Sequence, residues 1–186
     1  MFNSIPRSGL AGLVAWVWVL CPVASLSQDA ETPSPWQQLQ FLEGHWTGAG
    51  EGRWGQSTLE RSYEYVLKEQ FLRGTNTSTY APQEGNPEGE VHTHWDILSY
   101  DTERETFVMR QFHDEAFVNT YVLSDVSMDG RTLYFESEHI ENFIPGWRAR
   151  ETYHILGPDA FTETFELASA EGEFEVFVTN HFTRKP

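Results

Sequence analysis

Gly44-His45-Trp46-Thr47-Gly48-Ala49-Gly50-Glu51-Gly52 sets one tryptophan among glycines placed at every second residue. Period two is the side-chain period of a strand, so Trp46 and all the glycines share one face. Glycine is costly inside a strand and marks a bulge, a tight bend or a close backbone approach. A first strand that coils sharply while its one large ring plugs a barrel end has this pattern.

Upstream, Trp36 to Leu42 predicts one or two turns of helix, with Ser34 as cap and Pro35 at the first helical position. Downstream the chain reads as short strands between turn clusters. The predicted strands are His45–Gly52, Thr58–Leu67, Gln70–Tyr80, Val91–Tyr100 and Thr106–His113, then Phe117–Ser124, Thr132–His139, Trp147–Leu156, Phe161–Leu167 and Glu173–Thr183. Met128-Asp129-Gly130-Arg131 between two apolar runs is a hairpin signal. Pro82 to Gly89 is the longest irregular stretch and reads as a loop at a barrel mouth.

Ten short strands with short connections indicate an antiparallel meander, which removes its edges by closing on itself. The predicted fold is therefore all-β, an up-and-down barrel of about ten strands with a short N-terminal helix. Spacing alone leaves a sandwich open.

The N-terminus reads as a secretory signal. Arg7 is followed by the apolar run Leu10 to Leu20 and by small residues at Ala24, Ser25 and Ser27. That run is shorter than the roughly 20 residues of a membrane span. Residues 1–27 are assigned to the signal, 28–35 to a flexible leader and 36–186 to one domain. Cys21 does not fit a lipid-attachment box, because Leu20 before it is bulky. The predicted location is secreted or periplasmic, with no membrane span after cleavage.

The chain carries 28 acidic side chains against 12 lysines and arginines, a net charge of −16. Such a surface argues against nucleic acid and anionic membrane as partners. The single cysteine, Cys21, leaves with the signal, so the fold carries no disulfide and must be held by its core. Oligomeric state is not legible.

Taking the bulkier apolar face of each strand as the inner one gives a barrel with an apolar floor. Above it lie Gln111, His113, Asn119, Tyr121, Ser137, His139, Glu151 and Glu163, with Arg61 and Arg73 as positive partners for the glutamates. Buried polar groups need partners, from each other, from water or from a ligand. The predicted ligand is a small apolar or amphipathic molecule, with Tyr63, Trp95 and Tyr121 as ring contacts and Gln111, His113 and His139 as polar anchors. On the last strand the same rule places Phe174, Val176, Val178, Asn180 and Phe182 inside and His181 outside.

His92-x-His94 is a spacing that metals use. The opposite face carries Val91, Trp95 and Ile97, so both histidines are expected to face solvent, and no metal site is predicted. A His/Glu pair in a shielded cavity could serve general acid–base catalysis. No nucleophile elbow, phosphate loop or paired-carboxylate motif is present, so no catalytic residue is assigned. Asn76-Thr77-Ser78 fits an N-glycosylation acceptor.

The short helix, the Gly-x-Trp and the alternating glycines resemble the calycin superfamily of lipocalins and fatty-acid-binding proteins. The run Phe41 to Gly52 is similar to nitrobindin-type haem-binding barrels. With Tyr63-Glu64-Tyr65-Val66-Leu67 and Phe71-Leu72-Arg73 it is more similar still to a related bacterial family of unassigned function. The resemblance implies a basic side chain of the last strand stacked on the tryptophan, for which Arg184 is the match to Trp46. It also implies haem as an alternative cofactor, with His181 or an inward histidine as axial ligand. Otherwise no cofactor is expected. The chain departs from the nitrobindin pattern where Arg53-Trp54-Gly55 follows the glycine run.

Overall fold

A computed structural model describes residues 34–84 and 86–186. The predicted signal segment lies outside the described residues, as does most of the leader. Ten strands follow in chain order: β1 Gly44–Gly52, β2 Gly55–Val66, β3 Phe71–Tyr80, β4 Glu90–Asp101, β5 Thr106–His113, β6 Val118–Val126, β7 Thr132–Glu141, β8 Arg148–Gly157, β9 Ala160–Ala168 and β10 Glu175–Arg184. Each pairs antiparallel with the next, and β1 closes on β10 to give an up-and-down barrel. The meander is thus a barrel and not a sandwich.

The expected helix is replaced by two 3-10 turns, Pro35–Gln38 and Gln40–Leu42. Ser34 makes no side-chain cap bond. Seven residues cannot repay helix nucleation, and packing alone places them. Leu39 and Leu42 are buried under the barrel end, and Trp36 packs edge-on against Tyr65 and Phe107.

The glycines of β1 have a steric cause. A Cβ at Gly48 would meet the His181 carbonyl and the Phe182 ring, and one at Gly50 would meet Asn180 and Ser57. Trp46 lies above this tight seam, fully buried, with Nε1 donating to the Leu42 carbonyl at 2.7 Å. Phe161 meets its ring edge-on, and the Arg184 guanidinium lies over its face at 4.2 Å. Arg184 also donates to the carbonyls of Phe41, Glu43 and Pro158. This end of the barrel is shut.

The interior is layered. The closed end is packed with Trp46, Leu72, Leu98, Phe107, Met109, Phe135, Tyr153, Phe161 and Phe182. A polar waist follows, made of Arg61, Asn76, Asp96, Gln111, Asn119, Glu151, Glu163 and Asn180, all buried. The other end, where β1–β2, β3–β4, β5–β6, β7–β8 and β9–β10 connect, holds the cavity.

Four expected orientations are corrected by the structure. On β4 the inner face is His94, Asp96 and Leu98, while Val91 and Trp95 are exposed, Trp95 by 62%. The barrel interior here is polar, so the bulkier face is the outer one. On β7 the pairing slips between Thr120↔His139 and Tyr121↔Ser137. That bulge reverses the alternation, so His139 points out and Ile140 in. On β10 a slip between Val176 and Val178 turns Val176 outward, and Phe174 stacks under Arg148 and Arg150. Arg73 is an outer-face residue paired with Glu64, not a partner of the buried glutamates.

Candidate functional site

The cavity at the open end has a volume of about 250 Å³. Its rim is aromatic, from Trp54, Phe117, Phe143, Phe165 and Phe177. Its floor is the polar waist. Arg61 donates to both oxygens of Glu163, and to Asn76 Oδ1 at 2.9 Å. Asn180 adds a bond to Glu163 Oε2 at 2.9 Å. Burial alone would raise the Glu163 pKa, but the Arg61 charge overrides it and holds the carboxylate below its ordinary range.

Glu151 is the opposite case. Burial pushes its pKa well above the ordinary carboxylate value, and the Glu163 charge adds to this. Its Oε2 has no hydrogen-bond partner, nor have Asn119 Oδ1 and Asn180 Oδ1, and all three residues line the cavity.

Three imidazoles complete the lining. His92 and His94 come from β4, and His113 is the cross-strand partner of His94 on β5. His92 Nε2 lies 3.5 Å from His94 Nδ1 and 3.4 Å from His113 Nδ1. Burial lowers the His94 pKa to about 3, with the Arg61 charge acting in the same direction. Burial and then the neighbouring imidazoles lower that of His113 to about 2. Asp96, buried beside them, is raised to about 6 by desolvation, against the pull of Arg61. Both His94 and His113 are therefore neutral at pH 7.

The predicted ligand residues divide on this geometry. His113 lines the cavity and stacks on Phe117 with ring centroids 4.0 Å apart. Gln111, Tyr63 and Tyr121 are buried in the waist beneath it, Tyr63 donating to Asp96 at 3.0 Å. Tyr63 fits there because Gly74 faces it, where a Cβ would clash with its ring. Trp95 and His139 point away from the cavity. His92 and His94, expected on the surface, are in its wall; their i, i+2 spacing shows only that they share a face. Asn76 is buried on Arg61, which leaves it inaccessible as a glycosylation acceptor.

His181 is not placed to hold a haem inside the barrel. His181 is exposed on the outer face of β10, beside Ala49 and Thr58 in a shallow external depression.

No protein-family model matches the sequence, and no curated protein is detectably similar. Solved structures do match in shape. Rv2717c from Mycobacterium tuberculosis superposes with a TM-score of 0.62 at 17% identity, over 83% of this chain and all of that one. EF1p2_mFAP2b, solved bound to DFHBI, gives 0.44 at 11% identity, over 82% of this chain and all of that one. A DUF3598 family protein of unknown function from Nostoc punctiforme gives 0.29 at 7% identity, over 83% and 100%. The chain is a calycin-like β-barrel, and the likeness extends to fold.

Proposed function

We propose that the protein is an extracytoplasmic carrier or sensor of a small amphipathic molecule, bound in the cavity at the open barrel end. One observation carries this reading. An aromatic rim surrounds a floor on which three buried oxygens, of Asn119, Glu151 and Asn180, have no protein partner. A buried unpaired polar atom costs about 1–3 kcal/mol, a cost that a ligand with matching groups removes. Burial favours the acid form of Glu151, which donates as well as accepts, and the two amides supply further acceptors. The apolar part of the ligand packs on Phe117, Phe165 and Phe177. The extracytoplasmic location is supported by Arg7, the apolar run Leu10 to Leu20 and the small residues after it.

Native mass spectrometry of protein purified from its own compartment tests this directly. The expected result is a retained mass of small-molecule size that Glu151→Ala or Phe165→Ala removes. A bare chain mass, together with no binding of an apolar fluorescent probe that fills such cavities, would overturn the reading.

A further inference from the structure

We infer that His92, His94 and His113 form a site for one divalent cation of the zinc class, with a coordination position open to the cavity. This goes beyond organic-ligand binding and stands whether or not an organic molecule occupies the cavity.

The spacing of the nitrogens is the first ground. Tetrahedral coordination with metal–nitrogen bonds of about 2.0–2.1 Å puts ligand nitrogens about 3.3 Å apart. The two distances from His92 Nε2, 3.5 and 3.4 Å, are within a few tenths of that value. One ligand nitrogen from each of the three rings lies within 4.8 Å of the others.

Hydrogen bonding alone does not account for the arrangement. An imidazole nitrogen has one in-plane lone pair. His94 Nδ1 and His113 Nδ1 both approach His92 Nε2, which can accept from only one of them. A cation at the centre takes all three lone pairs.

The far nitrogens form the second ground, because metal-bound histidines hold their other ring N–H on an outer partner. His92 Nδ1 lies 2.8 Å from Glu115 Oε1 and 3.3 Å from Asp114 Oδ1. His94 Nε2 faces Asp96 Oδ1 at 3.6 Å, both atoms otherwise buried without a partner. His113 Nε2 meets the Asn119 amide at 3.3 Å. Each ring thus has one nitrogen on the shared point and one on an outer-shell group.

Three protein ligands plus one exchangeable position is the arrangement of open zinc sites, as against the closed four-ligand structural ones. Neutral imidazoles suit zinc, copper, nickel and cobalt, with calcium and magnesium disfavoured. All three histidines line the cavity, so the open position takes water or a donor atom of the cavity's ligand.

Chelator-stripped protein, prepared without a polyhistidine tag, should be titrated with zinc against a chromophoric competitor. One zinc per chain is expected. His92→Ala and His113→Ala should each weaken binding by more than the roughly 100-fold that loss of an outer-shell partner can cost, and Glu115→Ala by about 10-fold. His139→Ala, at an exposed histidine outside the cavity, should bind as the parent does. His92 is partly exposed, so that variant should keep the parent's circular dichroism and separate ligation from folding. Cobalt(II) should give a four-coordinate visible spectrum that shifts with azide. Zinc binding no tighter in the parent than in a His92→Ala/His113→Ala double variant would overturn the site. A cobalt spectrum indifferent to azide would overturn its open position.

Discussion

The two ends of this barrel solve opposite problems with the same wall. At the closed end polar atoms are spent on closure, as with Trp46 Nε1 on Leu42 and the Arg184 fork on three carbonyls. At the open end Asn119, Glu151 and Asn180 keep unpartnered oxygens, and three histidines share one point. Hydrophobic burial and satisfied hydrogen bonds favour the first kind of end, and nothing in folding favours the second. The difference teaches where stability and function are separately written.

The comparison breaks most easily at the closed end and the waist. Trp46→Ala should cost about 3–5 kcal/mol of unfolding free energy, read from urea denaturation, because Phe161 and Arg184 cannot refill the void. A loss under 1 kcal/mol would show that the plug does not hold the barrel. Arg61→Met should cost a similar 3–5 kcal/mol by leaving Glu163 buried without its countercharge. Arg61→Met/Glu163→Leu should regain most of that, and a double variant as weak as the single one would contradict the pairing.

The two buried glutamates sharpen the picture through pH. Glu163 titrates below its ordinary value of 4.5, so its contribution is present above that pH and is lost as pH falls. Glu151 titrates well above 4.5, so its contribution is present below that pH and is lost as pH rises. Glu163→Gln should therefore destabilise at pH 7, with a gap that narrows towards pH 4. Glu151→Gln should instead gain on the parent as pH rises. Denaturation midpoints at both pH values check the opposite signs, and equal signs would contradict the assignment.

The smallest effect on stability belongs to the open end. His92→Ala should change unfolding free energy by about 1 kcal/mol or less, since its ring is partly exposed and its bonds go to exposed Asp114 and Glu115. A loss as large as that of Trp46→Ala would erase the distinction between the two ends.

The sequence made one end legible and hid much of the other. Glycines at period two around Trp46 announce a coiled first strand, and short alternating segments with Gly, Pro and Asp turns announce the meander. Inward side chains on β5 and β8 follow from alternation, which is why His113 and Glu151 were legible. On β4 the rule that bulk marks the inside fails, because Trp95 and Val91 are outside and the waist wants Asp96. That reversal concealed His92 and His94, and with them the cluster. Bulges on β7 and β10 shift alternation by one residue, and no local signal marks the extra residue. They put His139 and Val176 on the outer face. The N-terminal turns are 3-10 because packing under the barrel end, not intrinsic propensity, orders them.

Unfolding midpoints of the parent and of His92→Ala/His113→Ala, each with and without zinc, test the division of labour most directly. Without zinc the two should unfold within about 2 kcal/mol of each other, the His113 ring stacked on Phe117 accounting for most of the difference. Zinc at about 100 times its dissociation constant should then stabilise the parent by about 2.7 kcal/mol and leave the variant unmoved. A variant that is already several kcal/mol weaker without zinc, or a zinc effect equal in both, would contradict the account.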